Sequence, residues 1–175
     1  MTDAVDGSEE LEFKITLSGT YWKQPPEFAI LIDGTVVHED SIQTTSSKIG
    51  LPDEEHMDDL DRINSYHDIT FKHQITPGDH TLGVRFKHKD LASDTLVDDS
   101  GNIVQDLLLT VEKVQVDGVD LGILIFNESQ CDFDDEHTHK GEPTKKLENN
   151  VTLGYPGTWT LRFTSPFYLW LLERI

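Results

Sequence analysis

The sequence contains one cysteine, Cys131, among 175 residues. A single cysteine excludes an intrachain disulfide, so the disulfide framework of small secreted eukaryotic domains is not expected here. No apolar run approaches the roughly 20 residues that a membrane-spanning helix needs, which argues against membrane insertion. The opening residues, MTDAVDGSEE, are polar and acidic, and they do not fit a secretory signal peptide.

Positive charge is also scarce. The chain has 14 Lys and Arg against 33 Asp and Glu, for a formal net charge of −19. A field of that sign repels phosphate backbones and anionic membranes, so nucleic-acid binding is not expected, whereas capture of cations is favoured. The sequence has no glycine-rich phosphate loop and no G-x-S-x-G nucleophile elbow. A protein without catalytic activity is therefore predicted.

What the sequence does have is a series of short segments in which apolar and polar residues alternate, with the period of a half-buried strand. The first is LEFKITL, and the alternating apolar residues in it are Leu11, Phe13, Ile15 and Leu17. The pairs Asp33-Gly34 and Asp117-Gly118 are strong hairpin-turn signals. Roughly eight such strands in a chain of this length predict an all-β fold, a single jelly-roll-like β-sandwich with long acidic loop insertions.

The domain boundaries follow from where the alternation stops. Residues 1–10 are predicted to be a flexible acidic tail and residues 11–175 the sandwich domain. Within the domain, the polar segments 38–65 and 127–149 are predicted to be loop insertions. The terminal FYLWLLERI fits either a last buried strand or a short helix.

The acidic segment 90–106 is the first candidate site. It contains Asp90, Asp94, Asp98, Asp99, Asn102 and Asp106. Ca²⁺ prefers six to eight oxygen ligands, and clustered carboxylates with backbone carbonyls on a loop supply them. The alternative is an ordinary acidic surface loop.

Two further groups have less distinctive chemistry. Cys131 lies near His137 and His139, residue types that bind zinc, but no second Cys or His pair accompanies them, so a mobile acidic loop is favoured. Tyr21 and Trp22 follow the first predicted strand. Their rings would either stack against sugars or partner surfaces, or cap the edge of the core.

Three phrases carry a resemblance to a known family: FAILIDGTVV, GDHTLGVRFKHKD and QDLLLTVEKVQVDG. Together they resemble the calcium-dependent xylan-binding carbohydrate-binding modules, which are β-sandwiches whose calcium ion contacts sugar hydroxyls. The resemblance covers about residues 11–118. Two positions depart from the family pattern, because Lys89 and Leu108 stand where the family has asparagine.

By position, the resemblance implies Asp106 and the backbone carbonyl of Gln105 as Ca²⁺ ligands. A carbonyl at Tyr21 or Trp22 would join them. Asp90 and Asp99, with Asp98, are further candidate ligands.

The phrases DTLVDDSGNIVQDLLLTVEKVQVDGVDLG and GTWTLRFTSPFYLWLLE are similar to small proteins of tailed bacteriophages, especially marine ones. This resemblance implies a structural or recognition component of the virion, such as a capsid decoration, neck, tail or fibre-associated protein. It would be assembled in the host cytoplasm with other virion proteins as partners. The alternative is a Ca²⁺-dependent glycan-binding module that acts on host or extracellular polysaccharide, and the two functions are compatible.

Overall fold

The computed structural model of the chain describes residues 7–21, 23–42 and 63–175. Within these residues the chain forms thirteen strands and three short helices. The strands are β1 (Glu9–Tyr21), β2 (Glu27–Ile32), β3 (Thr35–Ser41), β4 (Ile63–Ile75), β5 (Gly78–Phe86), β6 (Leu96–Val97), β7 (Ile103–Gln105), β8 (Leu108–Val116), β9 (Val119–Asp120), β10 (Ser129–His139), β11 (Glu142–Glu148), β12 (Thr152–Leu153) and β13 (Gly157–Ser165). The helices are α1 (Leu91–Asp94), α2 (Leu124–Asn127) and α3 (Phe167–Leu172).

The strands form two antiparallel sheets that enclose one hydrophobic core. The five-stranded sheet has the order β12-β8-β1-β4, with β9 paired to β8, and the six-stranded sheet has the order β11-β10-β13-β5-β2-β3. A small hairpin, β6-β7, lies apart from both. Phe13 of the first sheet and Phe163 of the second have ring centroids 6.1 Å apart, so the inner faces interdigitate. The predicted all-β sandwich is confirmed.

The alternation in the sequence places side chains as expected. Leu11, Phe13, Ile15 and Leu17 are all buried. In β8 the alternation shifts by one residue between Val111 and Val114, and the structure gives the reason. Thr16 pairs with Lys113 while Leu17 pairs with Val111. The extra residue between them is a β-bulge, which lets both valines face the core.

The two predicted hairpin turns are also present. Asp33 and Gly34 both have positive φ, 51° and 78°, and so do Asp117 and Gly118, 48° and 78°. Positive φ at both central residues is the conformation that two-residue hairpin turns require.

Three predicted boundaries are corrected by the structure. The prediction of a loop over 127–149 is wrong, because this segment forms the hairpin β10-β11. The ends of the predicted loop 38–65 belong to β3 and β4, and residues 43–62 lie outside the described residues. The predicted tail also ends too late: Glu9 opens β1, and its Oε1 accepts hydrogen bonds from Ser165 Oγ and Phe167 N, both at 2.7 Å.

The C-terminal segment, for which strand and helix were both open, forms the helix α3. Its buried residues are Phe167, Trp170 and Leu171. Across the described part of the chain, the helices are too short to span a bilayer.

Candidate functional site

Asp106, the main predicted calcium ligand, forms a nearly buried ion pair with Lys89. Lys89 Nζ donates to Asp106 Oδ1 at 2.5 Å, and the two side chains are 3% and 13% exposed. The same ammonium donates to Gly154 O at 2.7 Å and lies 5.5 Å from the centre of the Tyr155 ring. Lys89 is thus held by a carboxylate, a carbonyl and an aromatic face, which together replace its lost hydration.

The other oxygens predicted to bind calcium do not gather around Asp106 in the same way. Asp90 Oδ1 accepts from Ala92 N at 3.0 Å and so caps α1. Asp99 is exposed at the tip of the β6-β7 hairpin, whereas Asp106 follows the base of β7. A strand rises about 3.3 Å per residue, so the two carboxylates lie too far apart for one ion. Gln105 was predicted to bind through its backbone carbonyl. Its side-chain Oε1 is buried and has no hydrogen-bond partner among the described residues.

These contacts do not fit a calcium ion at Asp106. Its Oδ1 also accepts from Thr95 Oγ1 and Leu107 N, both at 2.8 Å, so three donors already surround it. A dication placed beside the buried Lys89 ammonium would bring like charges together in a region that water screens poorly. Lys89 therefore supplies the positive charge beside Asp106.

Of the two residues predicted to offer a ring for stacking, the structure describes Tyr21. Tyr21 is 3% exposed, and its hydroxyl lies 3.4 Å from Ser65 Oγ inside the core. Its ring is therefore not available for stacking on a sugar, and the alternative prediction, that it caps the core edge, agrees with this position. Trp22 lies outside the described residues.

Cys131 and its neighbouring histidines also have separate surroundings. Cys131 is fully buried on β10, and burial raises the pKa of its thiol to about 12. The His137 ring stacks on Tyr155 at 3.9 Å, and burial lowers its pKa. Cys131 faces the core and His137 packs on an aromatic ring, and among the described residues they form no metal-ligand cluster with His139. The segment is a hairpin rather than a mobile loop.

The outer face of the six-stranded sheet presents a different arrangement, which we call the polar face. It is formed by the side chains that alternate with the core residues of β5, β10 and β13. Those of β13 are Thr158, Thr160, Arg162 and Thr164. Thr160 pairs with Gln130 of β10, and Arg162 pairs with Thr81 of β5. Hydroxyl, amide and guanidinium groups thus lie side by side on a rigid sheet.

Two adjoining cavities open on the polar face, with volumes of about 520 Å³ and about 240 Å³. Arg162 and Glu128 line both. Arg162 is exposed and makes no ion pair within the described part of the chain. Its guanidinium is therefore available to a ligand that occupies either cavity.

His80 fixes one wall of the larger cavity. Its Nδ1 lies 2.7 Å from Asp33 Oδ2 and its Nε2 lies 2.6 Å from Thr76 O. Both neighbours are acceptors, which is the environment of a doubly protonated imidazolium. Burial lowers the pKa of His80, but the hydrogen bonds to Asp33 and Thr76 and the charges of Asp33 and Asp79 outweigh it, so the pKa is raised.

The polar face was not identified from the sequence, although a signal was present. The alternation that directs Trp159, Leu161 and Phe163 into the core also directs the threonines and Arg162 outward. Acidic residues dominate the composition, and a single basic residue between threonines is not conspicuous in such a sequence.

No protein-family profile matches the chain, and no curated protein sequence matches it. A solved structure titled "vCBM60 in complex with galactobiose" matches 86% of this chain and 96% of that chain, at 13% sequence identity and a TM-score of 0.47.

Proposed function

We propose that the chain is a non-catalytic carbohydrate-recognition domain that binds an uncharged polysaccharide along the polar face. The observation that carries this proposal is Arg162, which is exposed, has no ion-pair partner among the described residues, and lies between two adjoining cavities on a sheet of polar side chains. Sugars present neighbouring hydroxyls. A guanidinium donates hydrogen bonds to their oxygens, and the flanking hydroxyl and amide groups can both donate to them and accept from them. A rigid strand holds these groups at fixed spacing, which lowers the entropy that binding has to overcome.

The size and charge of the face define the ligand class. The larger cavity, at about 520 Å³, is within the usual range of small-molecule sites, and the second extends it along β13. Carboxylates at Asp79, Glu128 and Glu148 line the two cavities. Together with the net charge of −19, they disfavour anionic polymers such as uronate-rich chains.

A glycan array followed by titration calorimetry tests the proposal. In Arg162→Ala a hit should bind with a Kd higher by roughly 10- to 150-fold, because a hydrogen bond to a charged group contributes about 1.5–3 kcal/mol. Thr160→Val removes a hydroxyl without changing shape and should weaken binding less. Lys72→Ala is the control, because Lys72 pairs with Glu10 on the other sheet. Equal affinity in Arg162→Ala and Lys72→Ala would exclude the polar face as the binding surface.

Calcium dependence of glycan binding stays a prediction, and the Lys89–Asp106 pair argues against it. Melting curves with calcium and with chelator test it directly, because a ligand that binds the native state raises its melting temperature. A calcium-dependent rise that Asp106→Ala abolishes would establish Asp106 as a ligand. Unchanged melting would leave glycan binding independent of the metal.

A role as a structural component of a bacteriophage virion is the second candidate, and exposed apolar side chains support it. Leu169 and Leu172 of α3 are 59% and 64% exposed, and Ile123 beside α2 is 66% exposed. Arg174 Nε lies 3.5 Å from Glu128 Oε2, which places the end of α3 beside the end of α2. Exposed apolar side chains on neighbouring elements are typical of surfaces that contact other proteins.

Mass spectrometry and electron microscopy of purified phage particles from cells that express the chain test this second role. Stoichiometric copies in the particle are expected, and Leu169→Ser with Leu172→Ser should reduce incorporation without unfolding the domain. A particle preparation that lacks the chain would eliminate the virion role and its localisation.

A further inference from the structure

A second constellation lies at the edge of the sandwich, on strands that do not contribute to the polar face. His38 and Asp40 belong to β3, the edge strand of the six-stranded sheet, and His67 belongs to β4, the edge strand of the five-stranded sheet. Ligand atoms from the three side chains all lie within 4.8 Å of one another. The group therefore joins two strands that are not hydrogen-bonded to each other.

The strand registers explain why these polar side chains meet. Asp40 pairs with Phe28 and His38 pairs with Ile30, both of which face the core. His67 pairs with Leu17, which also faces the core. Directly paired residues point to the same side of a sheet, so the two imidazoles and the carboxylate face inward at the rim between the sheets.

The geometry is close to that of a metal site with three protein ligands. Asp40 Oδ2 lies 3.8 Å from His38 Nε2 and 3.6 Å from His67 Nε2. Ligands at about 2.0–2.2 Å from a tetrahedral zinc ion are about 3.4 Å apart, so the two distances from Asp40 need to shorten by only a few tenths of an ångström. The two imidazoles lie within 4.8 Å of each other and have to approach to a similar separation. Asp40 Oδ1 accepts from Ser41 N at 2.8 Å, which directs Oδ2 toward the histidines.

The surroundings hold the imidazoles in place. The Phe28 ring lies 5.5 Å from His67 and 6.2 Å from His38, between centroids. His67 is only 12% exposed, and His38 Nε2 is buried without a hydrogen-bond partner among the described residues. A nitrogen in that position loses its hydration, and a metal ion would restore an interaction of at least equal strength.

We propose that His38, Asp40 and His67 bind a divalent transition-metal ion of the zinc type, which fastens β3 to β4 across the edge of the sandwich. Two imidazoles and one carboxylate form a donor set that suits Zn²⁺ and its first-row neighbours rather than Ca²⁺. Three ligands leave one tetrahedral position for water or another donor. The negative field of the chain raises the local concentration of such cations.

Zinc titration of the chelator-treated full chain, in excess Mg²⁺, tests the site. Mg²⁺ saturates exposed carboxylates but competes poorly for imidazole, so surface binding is suppressed. One equivalent of Zn²⁺ should bind and raise the melting temperature. Asp40→Asn and His67→Gln should each weaken binding by at least about tenfold, since even changes beyond the ligands have effects of that size.

The matched control is His139→Gln, because β10 lies four strands from β3 in the same sheet. This variant should keep the wild-type zinc affinity. Circular dichroism checks that each variant is folded, and the absorption spectrum of Co²⁺ in the unsubstituted chain reports imidazole coordination without any mutation. Zinc binding that survives Asp40→Asn and His67→Gln, no zinc-dependent rise in melting temperature, or a Co²⁺ spectrum of purely oxygen ligation would overturn the proposal.

Discussion

Replacing Lys89 with methionine isolates the energetic role of its pair with Asp106. Methionine keeps much of the length of the side chain but removes the ammonium. The side chains of the pair are 3% and 13% exposed, so Lys89→Met leaves a mostly buried carboxylate without its cation. Breaking such a pair destabilises a protein by about 3–5 kcal/mol. Thr95 Oγ1 and Leu107 N still donate to Asp106, which places the expected loss near the lower end of that range.

The reciprocal change should be at least as damaging. In Asp106→Asn the buried ammonium keeps only the Gly154 carbonyl, the Tyr155 ring and a neutral amide oxygen. In the double variant neither charge remains, so it should be more stable than the sum of the two losses predicts. We expect a coupling energy of about 2 kcal/mol or more, in the range of residues that share one hydrogen-bond network.

Urea unfolding gives the four free energies of the cycle, and melting temperatures give a second measure. In a domain of this size a loss of about 3 kcal/mol lowers the melting temperature by roughly 6–12 °C. The control pair is Lys14–Asp68, at 3.8 Å with side chains 46% and 56% exposed. Exposed pairs contribute about 0–1 kcal/mol. If Lys89→Met and Lys14→Met lost the same stability, the inference that Lys89 neutralises Asp106 in the interior would be refuted.

Three further predictions concern single residues. His80 has a raised pKa in the folded chain, so its contribution to stability is complete below its ordinary pKa of about 6.5 and is lost as pH rises through the raised value. The difference in unfolding free energy between wild type and His80→Gln should therefore be larger at about pH 5.5 than at about pH 9, and no difference would contradict the imidazolium. Cys131, with a thiol pKa of about 12, should react with a thiol-directed maleimide only as the chain unfolds. Labelling faster than unfolding would show that the thiol is accessible. A Cβ on Gly157 would lie 2.5 Å from Asp132 O, so Gly157→Ala should lower the free energy of unfolding, measured with denaturant, by about 1–3 kcal/mol. Gly154→Ala is the control: its Cβ would have its nearest contact at 3.5 Å, so its free energy of unfolding should stay within about 0.5 kcal/mol of the wild-type value.

The sandwich could be predicted because its core follows rules local to each strand. Strict alternation from Leu11 to Leu17 and the Asp33-Gly34 turn correctly predict a strand and a hairpin. The β8 bulge could not be predicted from alternation, because the shift between Val111 and Val114 has meaning only against the paired strand β1. Register is a property of two segments, and a sequence presents them one at a time.

The β10-β11 hairpin was missed for a different reason. Its turn is Lys140-Gly141, with φ values of 49° and 82° that are close to those of the Asp-Gly turns. The first position of this turn, however, lacks a residue with a strong turn preference. The strand β11, EPTKKLE, is almost entirely exposed at the end of the sheet. An edge strand with two solvated faces has no hydrophobic period, so a polar strand and a polar loop have the same composition.

The candidate site depends on a further property that a sequence does not contain, namely which charges are neutralised within the fold. In a chain with 33 acidic residues, nearly any group of carboxylates resembles a cation site. The basic residues are the more informative ones. Of the described arginines, Arg85 is paired with Asp134 at 2.9 Å and Arg174 with Glu128 at 3.5 Å. Arg162 has no such partner in the described ranges, and it lies where two cavities meet. Because so many carboxylates compete for so few cations, a guanidinium without a partner in the described ranges supports the proposal that a ligand from outside the chain binds there.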